Sequence, residues 1–434
     1  MNKGMIKYFM ILLLGFSQAI AQEPLSLDEA IQKTLKHNFD INIADLAAQQ
    51  AAQNNTLGNA GFSPNVFINS SATESKSNSH LDLANGSVQD NPNGKSVNFS
   101  PTVAVTWTLF DGGKMFLLKK QLNELDVIGE VQLKMQIQTM VSRTIQMYAQ
   151  VLWQQKQLIA IDTSLALAKT RMDISDLKFQ TGAGPKVDYL QARVDYNSRE
   201  SDSLTQEANY TQAMDSLCVL MGETEDKKYR LIDSLELNTA LTPIDKDRLA
   251  DVNLSVEIFR RNAKVSELNA KIAKTYYLPN LLFNGGYGYS ETKNATGFAL
   301  YSRSYGPNGM LTLTMPLFEG GNVRRQAKVA TLQSMRDELL YEKQNTVIGR
   351  AYRTAWKNYK VSVSAYKLES ENIKYAKENL DVQIARFKVG IGTTLEVRQA
   401  ENDYVTALET LYTAEYNLKV NETVVLELEN QLLK

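Results

Sequence analysis

The sequence predicts α-helices combined with a membrane β-barrel, arranged as two structural repeats, each a strand pair followed by long coiled-coil helices. Three observations predict it. Two separate motifs recur at one common offset of 208 residues. Each half holds stretches in which apolar and polar residues alternate, the period of a strand with two different faces. Each half then runs for about 68 residues without proline, with apolar residues at every seventh position.

The repeat is read from Leu109-Phe110-Asp111-Gly112-Gly113, which returns as Leu317-Phe318-Glu319-Gly320-Gly321, and from the segment starting at Phe179 (FQTGAGPKVDYLQAR), which returns at Phe387 (FKVGIGTTLEVRQAE). Two motifs sharing one offset indicate duplication. Upstream, Asn38 pairs with Asn253 and Pro64-Asn65 with Pro279-Asn280 at offset 215, so the first half carries seven extra residues between Pro64 and Leu109. The first strand pair is therefore expected to have the longer loop.

Residues 1–21 read as an export signal: Lys3 and Lys7, the apolar run Tyr8 to Phe16, then Ala19-Ile20-Ala21 before a mature start at Gln22. The first repeat is assigned to 22–222, a connector to 223–243 (read as charged) and the second repeat to 244–434. In the first repeat a helix begins near Ser26, with Glu29 completing a capping box, and runs to about Ala60, where Gly61 and Pro64 stop it. Its counterpart runs from about Asp247 to Tyr277. Strand pairs follow at about 64–109 and 279–318. Val97, Phe99, Val103, Val105, Trp107 and Leu109 alternate with small or polar residues over a length able to cross a bilayer at a tilt. Trp107, Tyr287, Tyr289 and Tyr305 are candidates for interfacial girdles. Polar loops are expected at Ser77 to Lys95 and Glu291 to Tyr305.

Long helices are predicted over 114–181 and 322–389, each about 100 Å at the usual rise. The series Val151, Leu158, Leu165, Met172, Phe179 and Tyr352, Tyr359, Tyr366, Ile373, Leu380, Phe387 give each a coiled-coil seam. Further helices, 186–221 and 393–433, pair back as antiparallel hairpins.

Composition removes several function classes. With 47 Lys+Arg against 48 Asp+Glu the net charge is -1, which argues against nucleic acid as a partner. Two histidines, His37 and His80, and the single Cys218 leave no disulfide framework and no Cys/His zinc site. Cys218 reads as a small buried hydrophobe. No catalytic, cofactor-binding or metal-ligating constellation is found, and no enzyme activity and no cofactor are expected.

Taken in order, the Leu27-Asp28-Glu29-Ala30 start, Leu278-Pro279-Asn280 before a strand, both Leu-Phe-acidic-Gly-Gly turns and both Phe-x-x-Gly hairpin tips resemble the TolC-like outer-membrane efflux proteins. The resemblance covers nearly all of the chain after the signal. It implies a homotrimer in which each chain gives four strands to one twelve-stranded barrel among outer-membrane lipids, while the helices form a hollow periplasmic barrel. It further implies a periplasmic adaptor and an inner-membrane pump as partners, and a passive exit duct as the function. Part of this needs no family: four strands cannot close a barrel, and an open edge cannot sit in lipid, so more than one copy must share it.

Family members close the periplasmic entrance at the hairpin tips and carry acidic residues just after the tip glycine; here these positions are Asp188 and Glu396. Where the family often has a second acidic residue, this sequence has Gln399, and a polar or basic tip residue is replaced by Gly392. Thr393 with Glu396 also reads as a capping box, and Asp188 suits the first turn after Pro185; capping and pore lining can coexist. Gly182, Gly184, Gly390 and Gly392 are expected to permit the reversals and to face an adaptor. Gly112, Gly113, Gly320 and Gly321 are expected to turn each strand into its long helix. Two alternatives stand beside the efflux duct: an outer-membrane duct for type I protein secretion, which nothing in the chain separates from it, and a periplasmic coiled-coil adaptor, which would need compact β-domains instead of two equal halves.

Overall fold

The polar side chains that can replace a helix's missing partners decide where the helices of this chain begin. The computed structural model describes residues 23–223, 229–297 and 299–433; the expected export signal at 1–21 lies outside them. In the first half the elements are β1 (Glu23–Leu25), α1 (Leu27–His37), α2 (Phe39–Asn54), β2 (Asn65–Asp82), β3 (Val88–Asp111), α3 (Lys114–Gln180) and α4 (Lys186–Leu220). The second half follows with β4 (Tyr229–Leu231), α5 (Lys246–Val252), α6 (Leu254–Thr275), β5 (Asn280–Asn294), β6 (Tyr301–Thr314), α7 (Asn322–Lys388) and α8 (Thr394–Leu428).

Ser26 caps α1 through a reciprocal capping box with Glu29. The continuous helices expected from Ser26 to Ala60 and from Asp247 to Tyr277 are both broken, and at equivalent residues. Asn38 Oδ1 accepts from the backbone N–H of Asp40 (2.9 Å) and Ile41 (3.2 Å). Asn253 Oδ1 accepts from those of Ser255 (3.1 Å) and Val256 (3.2 Å). An asparagine side chain competes with the helical ladder and starts a new helix after itself, so the break is part of the duplicated plan. The first of these helices also ends earlier, at Asn54.

The chain divides into two compact units that do not follow the sequence repeats: of the described residues, 23–42, 137–223, 229–243 and 352–433 form one, and 43–136, 244–297 and 299–351 the other. Each unit draws equivalent pieces from both repeats. The first unit has a core of Leu25, Tyr148, Val151, Leu217, Met221 and Tyr229, all essentially inaccessible. The connector is more than a charged linker. Its β4 pairs in parallel with β1, so Tyr229 and Leu231 point into this core while Arg230 points out. Tyr148 donates to the Leu25 carbonyl (3.0 Å), and Lys33 Nζ reaches both Glu223 (2.8 Å) and the Tyr229 hydroxyl (2.7 Å). Cys218 is buried in the same cluster.

The second unit holds a four-stranded sheet in the order β2-β3-β5-β6, with every neighbouring pair antiparallel. The register sorts its faces. One face carries Val66, Ile68, Val103, Val105, Trp107, Phe283, Tyr287, Leu311 and Leu313; the other carries Asn69, Ser71, Asn98, Ser100, Thr102, Thr106, Asn284, Ser290 and Thr312. Strand residues extend into the expected loop at Ser77 to Lys95: β2 and β3 stay paired to Asp82↔Val88, past a register shift between Ser77 and Ser79. Since β5 joins β3 only from Ser96 onward, residues beyond it form a two-stranded ribbon. The second pair is shorter at its lower end than expected, because β6 stops at Thr314, just before Pro316, which has no N–H to donate.

Replacing Asn253 with alanine should cost about 1 kcal/mol of stability through the lost cap. Asn38→Ala should cost more, because Asn38 Nδ2 also donates to the Leu220 carbonyl at 2.9 Å. Chemical denaturation of the two full-length variants in detergent checks the order.

Candidate functional site

The two helix hairpins of the first unit, α3/α4 and α7/α8, turn by the same backbone device. The N–H of Gly182 bonds to the Phe179 carbonyl, and those of Ala183 and Gly184 to Lys178. The N–H of Gly390 bonds to Phe387, and those of Ile391 and Gly392 to Arg386. Gly182 and Gly390 have φ of 72° and 82°, the left-handed conformation that ends a helix at low cost for glycine. Gly184 and Gly392 serve differently. A Cβ on Gly184 would lie 3.0 Å from Lys178 Cβ, and one on Gly392 would lie 3.1 Å from the Phe387 nitrogen. They are needed for close approach, whereas the sequence suggested a shared role in reversal.

The expected acidic residues occupy different surroundings. Glu396 folds back on its own cap: its Oε2 accepts from the Thr393 N–H (2.7 Å) and hydroxyl (3.0 Å), and Arg386 Nη2 stands 3.9 Å from Oε1. The Thr393 N–H first, then the Thr393 hydroxyl, with a further contribution from Arg386, hold its pKa below the ordinary glutamate value. Glu396 therefore stays ionised at neutral and mildly acid pH, and its cap is lost only as pH falls through that lowered value. Asp188 instead accepts from the Thr394 hydroxyl (3.4 Å), which joins the start of α4 to the start of α8. The tips also meet through Lys178, whose ammonium lies 3.7 Å from the centre of the Phe387 ring. A cavity of about 210 Å³ between them is lined by Ser175, Lys178, Asp188, Phe387 and Thr394.

About two turns from the tips lies a group of charges that sequence reasoning missed. Arg171 on α3 is 5% exposed. Its Nη1 contacts Asp195 Oδ2 on α4 (2.9 Å) and its Nε contacts Glu401 Oε2 on α8 (3.1 Å). Arg398 Nε lies 3.5 Å from the same Asp195 oxygen, and Gln191 donates to the other at 3.0 Å. Burial by itself would raise the Asp195 pKa, but the hydrogen bonds from Gln191 and Arg171 and the nearby guanidinium charges bring it below the ordinary value. For Glu401 burial prevails over Arg171 and raises it. One buried guanidinium thus ties the first hairpin to the second.

The stripe that buries this group is not the apolar seam that the seven-residue spacing predicts. In α3 the expected apolar seam is only partly the buried one: Val151 is buried, Leu158, Leu165 and Met172 are half-buried and Phe179 is exposed. The deepest stripe is Gln157, Ala160, Ser164, Ala168, Arg171 and Ser175, at steps of three or four residues. Small side chains let neighbouring helices approach there, and that closeness buries Arg171. In α7 the expected seam holds better, with Tyr352, Tyr359, Leu380 and Phe387 buried.

In the second unit, Gly112, Gly113, Gly320 and Gly321 all have positive φ, from 61° to 83°. A Cβ on Gly112 would approach Leu278 Cβ to 2.7 Å, and Asp111 Oδ1 accepts from the Met115 N–H at 3.1 Å, capping α3 as the strand ends. None of the four contributes a polar side chain to a binding site.

Comparison with known proteins identifies this arrangement. The sequence model of the outer membrane efflux proteins matches residues 30–223 and 252–428. The outer membrane protein TolC of Vibrio cholerae is 24% identical over 292 residues, covering 64% of this chain and 65% of that protein. TolC of Escherichia coli is 23% identical over 338 residues, covering 74% of this chain and 67% of that one. The match thus spans about two thirds of the length of these relatives. The crystal structure of the outer membrane protein VceC from Vibrio cholerae superposes with a TM-score of 0.76 at 17% identity, over 93% of this chain and 95% of that chain. With the family's sequence pattern matched across both repeats and its fold reproduced, the chain belongs to the outer membrane efflux protein family.

Proposed function

We propose that three copies of this chain form a passive exit duct through the outer membrane, fed by a periplasmic adaptor and an inner-membrane pump. The observation that carries it is the four-stranded sheet. One face is apolar with aromatic rims, the other is lined by hydroxyls and amides, and among the described residues the outer edges of β2 and β6 pair with nothing. An open edge in hydrocarbon leaves its N–H and C=O groups without partners at several kcal/mol each. The sheet therefore needs more strands, and three copies supply twelve. The second Leu-Phe-acidic-Gly-Gly turn points the same way: Leu317 and Phe318 are 90% and 86% exposed, whereas their counterparts Leu109 and Phe110 are about 40% exposed beside a neighbouring strand.

The helices support the same reading. Val361, Leu368, Tyr375 and Val382 on α7, with Val389 just past its end, are seven residues apart and all exposed, a second seam alongside the one already buried. On α4, Val187, Leu190, Val194 and Leu204 form another exposed apolar row. Two uncovered rows on different helices fit a ring in which each copy meets the next through unlike surfaces. Asp188 and Glu396 would then stand three times each around the periplasmic entrance, favouring cations. The Arg171 group would hold the two hairpins of each copy in the closed arrangement. No step in this function breaks or makes a covalent bond.

Three outcomes are expected. Planar-bilayer recordings of the purified protein should give cation-selective channels whose selectivity falls in the Asp188→Asn, Glu396→Gln double variant; unchanged selectivity would return both carboxylates to a capping role. Leu368→Glu with Val382→Glu should leave the circular dichroism spectrum intact and shift sedimentation from trimer to smaller species. Arg171→Met leaves Glu401 buried without its ion-pair partner, while Asp195 keeps Arg398. It should lower stability by about 3–5 kcal/mol and raise the open fraction of the channel. Adding Glu401→Gln should recover part of that stability. Because the Glu401 pKa is raised, its protonation favours the folded state as pH falls through the raised value, and the neutral glutamine supplies the same relief at every pH.

A further inference from the structure

The face of the sheet that carries hydroxyls and amides holds no charge. Six successive rows can be read across its strands, from the row of Asn65 and Thr106 to the row of Ser75 and Ser96. No Asp, Glu, Lys, Arg or His stands on this face in any of them. Successive rows on one face lie about 7 Å apart along a strand, so the six span about 34 Å, or about 25 Å upright at the usual tilt of barrel strands. That is the height of the apolar band of a membrane barrel. The strands themselves do not avoid charge. Glu74, Glu291, Lys293 and Arg303 lie along the same stretch, all on the opposite face. Lys76, Asp82, Asp90 and Lys95 lie beyond the last row, in the first hairpin, and Asp111 lies before the first row, where β3 ends.

The polar groups of this wall are turned to one another. One row is Ser71, Ser100, Ser290 and Ser304, a serine on every strand. The Ser71 and Ser100 hydroxyls share a hydrogen bond of 2.8 Å, and Ser100 Oγ donates to Asn98 Oδ1 at 3.1 Å. Asn98 Nδ2 donates to Thr292 Oγ1 at 2.9 Å and to Ser290 Oγ at 3.4 Å. Between these rows and the helices, a Cβ on Gly286 would collide with the Val103 carbonyl, so no side chain of either charge can enter there.

We infer that the membrane-crossing section of the duct is indifferent to charge and passes anionic, neutral and cationic solutes alike, which leaves charge selection to the helical part of the chain. The inference rests on the duct reading above. A fixed charge on such a wall would be focused by the low-dielectric surroundings and would favour one sign of solute. Hydroxyls and amides both donate and accept, so they meet either sign without holding it.

The test uses the full-length protein in planar bilayers. Ser100→Cys places a thiol in the serine row, and Ser304→Cys, on another strand of that row, is a second site. Conductance is followed while an anionic or a cationic methanethiosulfonate of similar size is added from the side of the strand hairpins. Each rate is divided by that reagent's rate with free cysteine in solution. The two corrected rates should agree within about threefold at both sites, and adding Ser290→Asp should favour the cationic reagent by about tenfold or more. The parent chain, whose Cys218 is buried, should not respond. A tenfold preference for either sign without the added carboxylate would overturn the inference and leave the duct standing. No response to the added carboxylate would show that wall charge does not govern passage, and would overturn it as well. Conducting channels whose thiols react with neither reagent would remove this face from the bore. An inserted protein that forms no channels would remove the duct reading, and this inference with it.

Discussion

The hydrogen-bonding demand of an unpaired strand edge is the constraint from which the rest of this molecule follows. A sheet in water can leave its edges to the solvent; a sheet in hydrocarbon cannot. Four strands with one apolar face and one hydroxyl-rich face therefore describe a part of something larger. The aromatic rims, the bare Leu317 and Phe318 and the uncovered rows on α4 and α7 are the other surfaces of that unfinished state. Each is an apolar surface that, like the open strand edges, is left for further protein or lipid to cover.

Much of this was legible in the sequence because the structure is periodic. Strand alternation, the long proline-free helices and the common offset of 208 residues all survive as simple spacings, and both Gly-Gly turns stand where strand gives way to helix. The difference between the two offsets announced the longer first hairpin. What was not legible depended on contacts between distant segments. Tyr-Arg-Leu at 229–231 is too short to declare itself a strand without β1 beside it. The stripe of α3 that holds Arg171 does not show in the seven-residue apolar spacing, because its burial comes from α4 and α8 and not from its own composition. The breaks at Asn38 and Asn253 were legible in principle, since an asparagine at equivalent places in two repeats is a cap signal.

The tips were legible as turns and less so as sites. Duplication placed a carboxylate after each reversal, but packing has given the two copies separate work. Glu396 is engaged by its own helix start, and Asp188 by the hydroxyl of Thr394 on the other hairpin. The Arg171 group, with four charges held between three helices, carries the cost of buried ions and in return fixes one alignment of the hairpins. Equivalent positions in the two repeats thus differ in how tightly they are held, and a movement that separates the hairpins must first break asymmetric contacts.

The ribbon beyond Ser96 has a different consequence. Past Lys95, whose carbonyl accepts from the Ala295 N–H at 2.8 Å, β2 and β3 pair only with each other up to the turn at Leu83 to Ser87, and no third strand depends on their register. Length can therefore be gained or lost there two residues at a time without shifting a single side chain of the wall below. Such a segment can change in length and sequence without a cost to the sheet from which it grows.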